Sequence, residues 1–161
     1  MHADASAGDI LLVADDFGLS EGVTSGISKL ATARRISGTS ALVTLPRWRQ
    51  DGARLAQLRG DVAIGLHFNL TLGAPLGTMA SLAPSGQLPD IGTLVRSAVL
   101  GRIDRGEVAA EAERQLRRFE DGCGFKADFI DGHQHAHALA GVREGLITAI
   151  GNVYRDAPSK P

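Results

Sequence analysis

Ile10-Leu11-Leu12-Val13-Ala14 runs directly into Asp15-Asp16-Phe17-Gly18. A short, unbroken apolar run fits a strand buried on both faces, as in a parallel sheet. Ser20 follows as a cap, and Val23, Ile27, Leu30 and Ala31 recur at helical spacing. The unit is strand then helix, with two carboxylates at the junction. Adjacent side chains on an extended strand point to opposite sides. On a turn just after the strand, both carboxylates reach one cavity. The competing structural reading makes them a helix N-terminal pair, where the helix dipole favours negative charge. A kinase-like Asp-Phe-Gly is excluded, because that triplet follows a catalytic loop and a nucleotide-binding lobe, and only 15 residues precede it here.

The same unit repeats outward from this start. The segment 39–44 ends at Pro46, and Trp48, Leu55 and Leu58 mark a second helix closed by Gly60. Trp48 reads as core. Val62-Ala63-Ile64-Gly65-Leu66 is the third run, with His67 at its end. A Gly- and Pro-containing stretch over about 73–89 reads as a loop insertion. A helix over 107–121 carries Val108, Ala112, Leu116 and Phe119 on one stripe, with Glu and Arg on the other faces. The run 127–130 leads into Asp131-Gly132-His133-Gln134-His135-Ala136-His137. A last helix covers 142–150, and 154–161 reads as a polar tail.

About four strand–helix units in one chain predict an α/β fold with parallel strands and right-handed crossovers. In such sheets chemistry gathers beyond the carboxyl ends of the strands. Three of the four runs end in residues able to bind metal: Asp15-Asp16, His67, and Asp131 with its histidines. A lone histidine in an apolar run, like His67, is usually a satisfied core residue. Convergence with other ligands reverses that reading. His133, His135 and His137 are spaced by two, so an extended chain presents them on one face. Imidazole and carboxylate together suit a first-row divalent ion. Spacing leaves open which histidine binds, and whether Asp131 is a ligand or orients an imidazole.

The bulk numbers narrow the setting. The chain has 161 residues, 43% hydrophobic and 22% charged, which fits one globular domain over 1–161. A net charge of −1 argues against a nucleic-acid or membrane-surface partner. The single cysteine, Cys123, allows no intramolecular disulfide and reads as a small buried residue. No basic n-region precedes an apolar run at the N-terminus, and no apolar stretch approaches the roughly 20 residues of a membrane span. The expected location is the cytoplasm.

Three blocks together resemble the YdjC-like carbohydrate deacetylases. They are 14–20 (Ala-Asp-Asp-Phe-Gly-Leu-Ser), 65–71 (Gly-Leu-His-Phe-Asn-Leu-Thr) and 131–137 (Asp-Gly-His-Gln-His-Ala-His). The resemblance covers residues 10–149 in order and spacing. It implies a TIM-barrel-like (β/α) fold and a divalent metal, usually magnesium. It also implies removal of acetyl groups from N-acetylated sugars such as chitin-derived oligosaccharides. On matching positions, Asp16, His67 and His133 become the metal ligands and Asp15 the base. Asp131 then orients a histidine, and His137 or His135 supplies the proton to the departing amine. The Asp/His/His set itself suits zinc better than magnesium, which prefers oxygen ligands. Relatives run past 200 residues, so this chain holds about half of a barrel, its activity stands in question, and a second copy is expected to cover an exposed sheet edge. The alternatives are another metal-dependent hydrolase, such as an amidohydrolase or phosphoesterase, and an inactive metal-binding homologue.

Overall fold

The structure is a computed structural model and describes residues 10–155. Four parallel strands form one sheet in the order β1-β2-β3-β4: β1 (Val13–Phe17), β2 (Gly38–Ala41), β3 (Ala63–Phe68) and β4 (Ile130–Gly132). Helices α1 (Glu21–Thr32) and α2 (Trp48–Ala56) join the first three strands. Helices α3 (Ile91–Val99) and α4 (Arg105–Cys123) lie between β3 and β4, and α5 (Val142–Tyr154) follows a 3-10 turn over His133–Ala138. Sequence order equals spatial order. This is the succession of consecutive βα units expected of a partial TIM-barrel-like fold.

The pleat divides the sheet into two faces. On β3, Ile64, Leu66 and Phe68 join Ala41, Phe17 and the helices in the apolar core. The alternate positions, Ala63, Gly65 and His67, look the other way. Gly65 is required there. A Cβ on it would stand 2.6 Å from the Phe129 ring, which lies across that face and also meets Gly38.

Local chemistry sets the helix ends. Ser20 caps α1 by accepting from Val23 N, as expected. It also removes the helix-cap reading of Asp15-Asp16, which sit on the strand. Asp104 caps α4, and Gly124 at φ 76° closes it in the left-handed region, its N–H bonded to Glu120 O at 2.7 Å. Helix α4 buries Val108, Leu116 and Phe119 completely, each contributing roughly 1.5–3 kcal/mol. Trp48 is core, its indole N–H bonded to Arg118 O.

The structure corrects four sequence readings. The helix α3, which follows the long Gly/Pro-containing loop, was not expected; Asp90 caps it by accepting from Thr93 N. The last helix reaches Tyr154 rather than stopping at 150, so Tyr154 belongs to it and not to a tail. The fourth strand begins at Ile130, placing Asp131 within it. Ile10, Leu11 and Leu12 lie outside β1 and are largely exposed, so the first apolar run is not a strand buried on both faces. On α4, Glu111 and Gln115 are fully buried. They bond the loop after β3: Glu111 accepts from Leu76 N and Gly77 N, and Gln115 pairs with both Asn69 N and Asn69 O. Among the described residues, no helix is long and apolar enough to cross a membrane.

Candidate metal centre at the strand ends

Strand register assembles the site. Parallel pairing puts His67 of β3 directly beside Asp131 of β4. His67 Nδ1 lies 2.7 Å from Asp131 Oδ1, and His67 is only 3% exposed. The buried Ser40 of β2 comes from one strand further over. Its hydroxyl donates to Asp131 Oδ2 at 2.8 Å and lies 3.1 Å from His67 Nδ1.

The two aspartates reach the site through a break in the strand. Ala14 pairs with Thr39 and Phe17 with Ala41, so β1 carries one extra residue against β2. Asp16 absorbs it at φ 66°. This left-handed conformation costs about 1 kcal/mol or more for a residue other than glycine, and aspartate tolerates it better than most. Bulges of this kind re-aim side chains beside functional sites. The normal alternation is lost, and both carboxylates turn toward His67. Asp16 Oδ1 lies 3.2 Å from His67 Nε2 and 2.8 Å from His133 Nδ1. Asp15 sits with His67 and Asp131 in a second convergent group.

The ligating atoms of Asp16, His67 and His133 lie within 4.8 Å of one another. Asp131, bonded at Nδ1, holds the His67 proton there and leaves the Nε2 lone pair facing Asp16. One carboxylate oxygen and two imidazole nitrogens converging on one point match the ligand preferences of a first-row divalent ion, and the 2.8 Å contact of Asp16 with His133 is a hydrogen bond when no ion is bound. The donor set therefore fits a divalent ion.

Electrostatics separates the other two carboxylates. Burial raises the Asp15 carboxyl above its ordinary value, and the charge of Asp131 raises it further against the pull of His67. Burial also acts to raise Asp131, but the hydrogen bond and charge of His67, with help from Ser40, hold it below its ordinary value. Asp15 is the member of the pair that takes up a proton first.

The three alternate histidines do not share a face. Gln134 and His135 both adopt positive φ, 51° and 58°, coiling the chain where an extended segment was expected. His133 joins the site and His135 is exposed. His137 folds back against Gly132, where a Cβ would stand 2.6 Å from its Nδ1. It belongs to neither convergent group. Ser40 was missed by sequence reading. Its signal was a second hydroxyl, next to Thr39, near the end of a short strand of small residues.

Comparison with known proteins identifies the family. The family model described as YdjC-like protein matches residues 9–155. The chain is 36% identical over 131 residues to a chitooligosaccharide deacetylase of Klebsiella pneumoniae (strain 342), covering 81% of this chain and 51% of that one. It is 34% identical over 125 residues to a carbohydrate deacetylase of Geobacillus stearothermophilus, covering 77% and 48%. A crystal structure of an Enterococcus faecalis V583 protein, named for cellobiose-phosphate cleavage, superimposes with a TM-score of 0.68 at 26% identity, over 90% of this chain and 54% of that one. The chain spans about half the length of the curated relatives it matches. With family blocks, strand order and overall fold in agreement, the chain belongs to the YdjC-like family.

Proposed function

We propose that this chain carries the metal centre of a carbohydrate N-deacetylase, a hydrolase that removes acetyl groups from N-acetylated sugars such as chitin-derived oligosaccharides. The observation that carries the reading is the convergence of Asp16, His67 and His133 on one point, with a separate carboxylate, Asp15, beside it. The names of the relatives supply the substrate class.

In this reading Asp16, His67 and His133 hold the divalent ion, and three protein ligands leave positions open. The ion supplies Lewis acidity and a water of lowered pKa; zinc suits the two imidazoles, and magnesium follows from the family resemblance. Asp15 takes the proton from the attacking water. Its raised pKa keeps the carboxylate basic enough to accept one. Asp131 holds His67 in one tautomer and orientation. We assign protonation of the departing amine to His137, half-buried on the turn after β4, over the exposed His135.

Acetate release from N-acetylglucosamine oligomers tests the function. Activity lost on chelation and restored by zinc or magnesium is expected, and Asp15→Asn should abolish turnover while metal still binds. Equal inertness of wild type and Asp15→Asn, both loaded, leaves a metal-binding homologue without turnover. A second reading, cleavage of a phosphorylated sugar, is favoured by the name of the structural neighbour; turnover of a phosphorylated disaccharide without acetate release would select it.

We further propose association with a second copy. Among the described residues, β1 and β4 each have one strand neighbour. An apolar hollow of about 410 Å³, lined in part by Leu11, Val13 and Phe129, opens at the N-terminal ends of the strands. A compact monomer by light scattering at high concentration would exclude this. The setting of the reaction is proposed as the cytoplasm.

A further inference from the structure

Two neighbouring hydroxyls on β2 are both fully buried, and they are satisfied in different ways. Thr39 points to the core face and bonds the backbone, donating to Ala14 O at 2.7 Å. That is ordinary satisfaction of a buried polar group. Ser40 lies on the opposite face, and its side-chain bonds run only to other side chains. It donates to Asp131 Oδ2 at 2.8 Å, lies 3.1 Å from His67 Nδ1, and stands a longer 3.4 Å from Asp15 Oδ1. Its cross-strand partner is Gly65, which brings no side chain to compete for it.

A hydroxyl has one proton to give. The shortest contact assigns it to Asp131, so Asp15 gets no strong donor from Ser40. The carboxylate of Asp131 is then held at both oxygens, Oδ1 by His67 and Oδ2 by Ser40, and cannot rotate about its χ2 without breaking one of them. A fixed carboxylate fixes the imidazole that donates to it. That imidazole presents Nε2 to the point where Asp16 and His133 converge.

We propose that Ser40 is a positioning residue of this site: by clamping Asp131 it locks His67 with Nε2 aimed at the cation. The proposal rests on the reading of Asp16, His67 and His133 as ligands. Partners that orient a metal-bound histidine typically matter by about 10- to 100-fold in metal affinity.

The test is zinc titration by calorimetry into the metal-free chain, comparing wild type, Ser40→Ala and Ser40→Thr. Ser40→Ala should weaken zinc binding about 10-fold or more. Ser40→Thr keeps the hydroxyl and should stay within about 3-fold of wild type. Metal-free melting points serve as the control, and Ser40→Ala should melt within a few degrees of wild type. Wild-type affinity in Ser40→Ala overturns the proposal. Equal weakening in both variants also overturns it, since packing and not the hydroxyl then carries the effect. If wild type itself takes up no zinc, the ligand reading fails and this proposal goes with it, a pattern distinct from the other two.

Discussion

Two buried polar networks lie within this small fold, and they are built on opposite principles. Along α4, Glu107, Glu111 and Gln115 recur every four residues and meet the loop that follows β3. There each acceptor finds a donor: Glu107 takes Ser81 N and Leu82 N, Glu111 takes Leu76 N and Gly77 N, and Gln115 gives and accepts at Asn69. At the strand ends the balance reverses. Asp15, Asp16 and Asp131 crowd two imidazoles, with Ser40 the main neutral donor among the described residues. The first network is complete within the protein and holds a loop. The second needs something from outside, and it is the one that reads as functional.

Ligand removal should give the largest contrast. Asp16→Ala or His67→Ala should abolish zinc uptake in calorimetry, and Asp16→Ala should cost the metal-free chain only about 1 kcal/mol by thermal melting, the strain of alanine at a positive φ. A large loss of metal-free stability would mean that the centre is a structural knot. In the α4 network, Glu111→Ala should do the opposite. Two backbone N–H groups lose their acceptor in a buried place, at a cost of about 2–3 kcal/mol, and thermal melting should show it while zinc affinity holds. Unchanged stability would remove the distinction between the two networks.

The contrast also explains what the sequence disclosed. Gly65 through His67 and Asp131 through His133 announced strand ends bearing ligands; Ile10 through Asp16 did so too, although Ile10, Leu11 and Leu12 lie outside β1 and are exposed, so that run is not buried on both faces. The burial of Glu111 and Gln115 was not legible, because a helical stripe reports only which positions are apolar. Glutamate bonded to a loop's backbone has the same letter as glutamate in water. The bulge at Asp16 and the left-handed Gln134 and His135 were invisible for a similar reason. No glycine marks them, and the surrounding contacts impose the conformation.

Charge crowding gives a smaller, pH-dependent effect. Burial and Asp131 raise the Asp15 carboxyl, so ionising it works against the fold. A group of raised pKa lends stability at low pH and loses it as pH rises through its folded value. In the metal-free chain Asp15→Asn should therefore melt above wild type at neutral pH, with the gap closing as pH falls into the ordinary carboxylate range. A gap that is constant with pH would argue against the crowding.

Outside both networks, Cys123 should be the least responsive. Burial pushes its thiol up to about 12. It should resist alkylation by iodoacetamide at mildly alkaline pH and react once denaturant unfolds the chain. Rapid native labelling would show that the α4 terminus opens readily.

The central claim is that Asp16, His67 and His133 form the cation site, with Asp15 and Asp131 outside it. Crystals of the zinc-soaked chain, with diffraction recorded on both sides of the zinc absorption edge, test it most directly. The expected result is one anomalous peak about 2.0–2.2 Å from Asp16, His67 and His133. A peak bound instead by Asp15 and Asp131, or no peak at the strand ends, would contradict it.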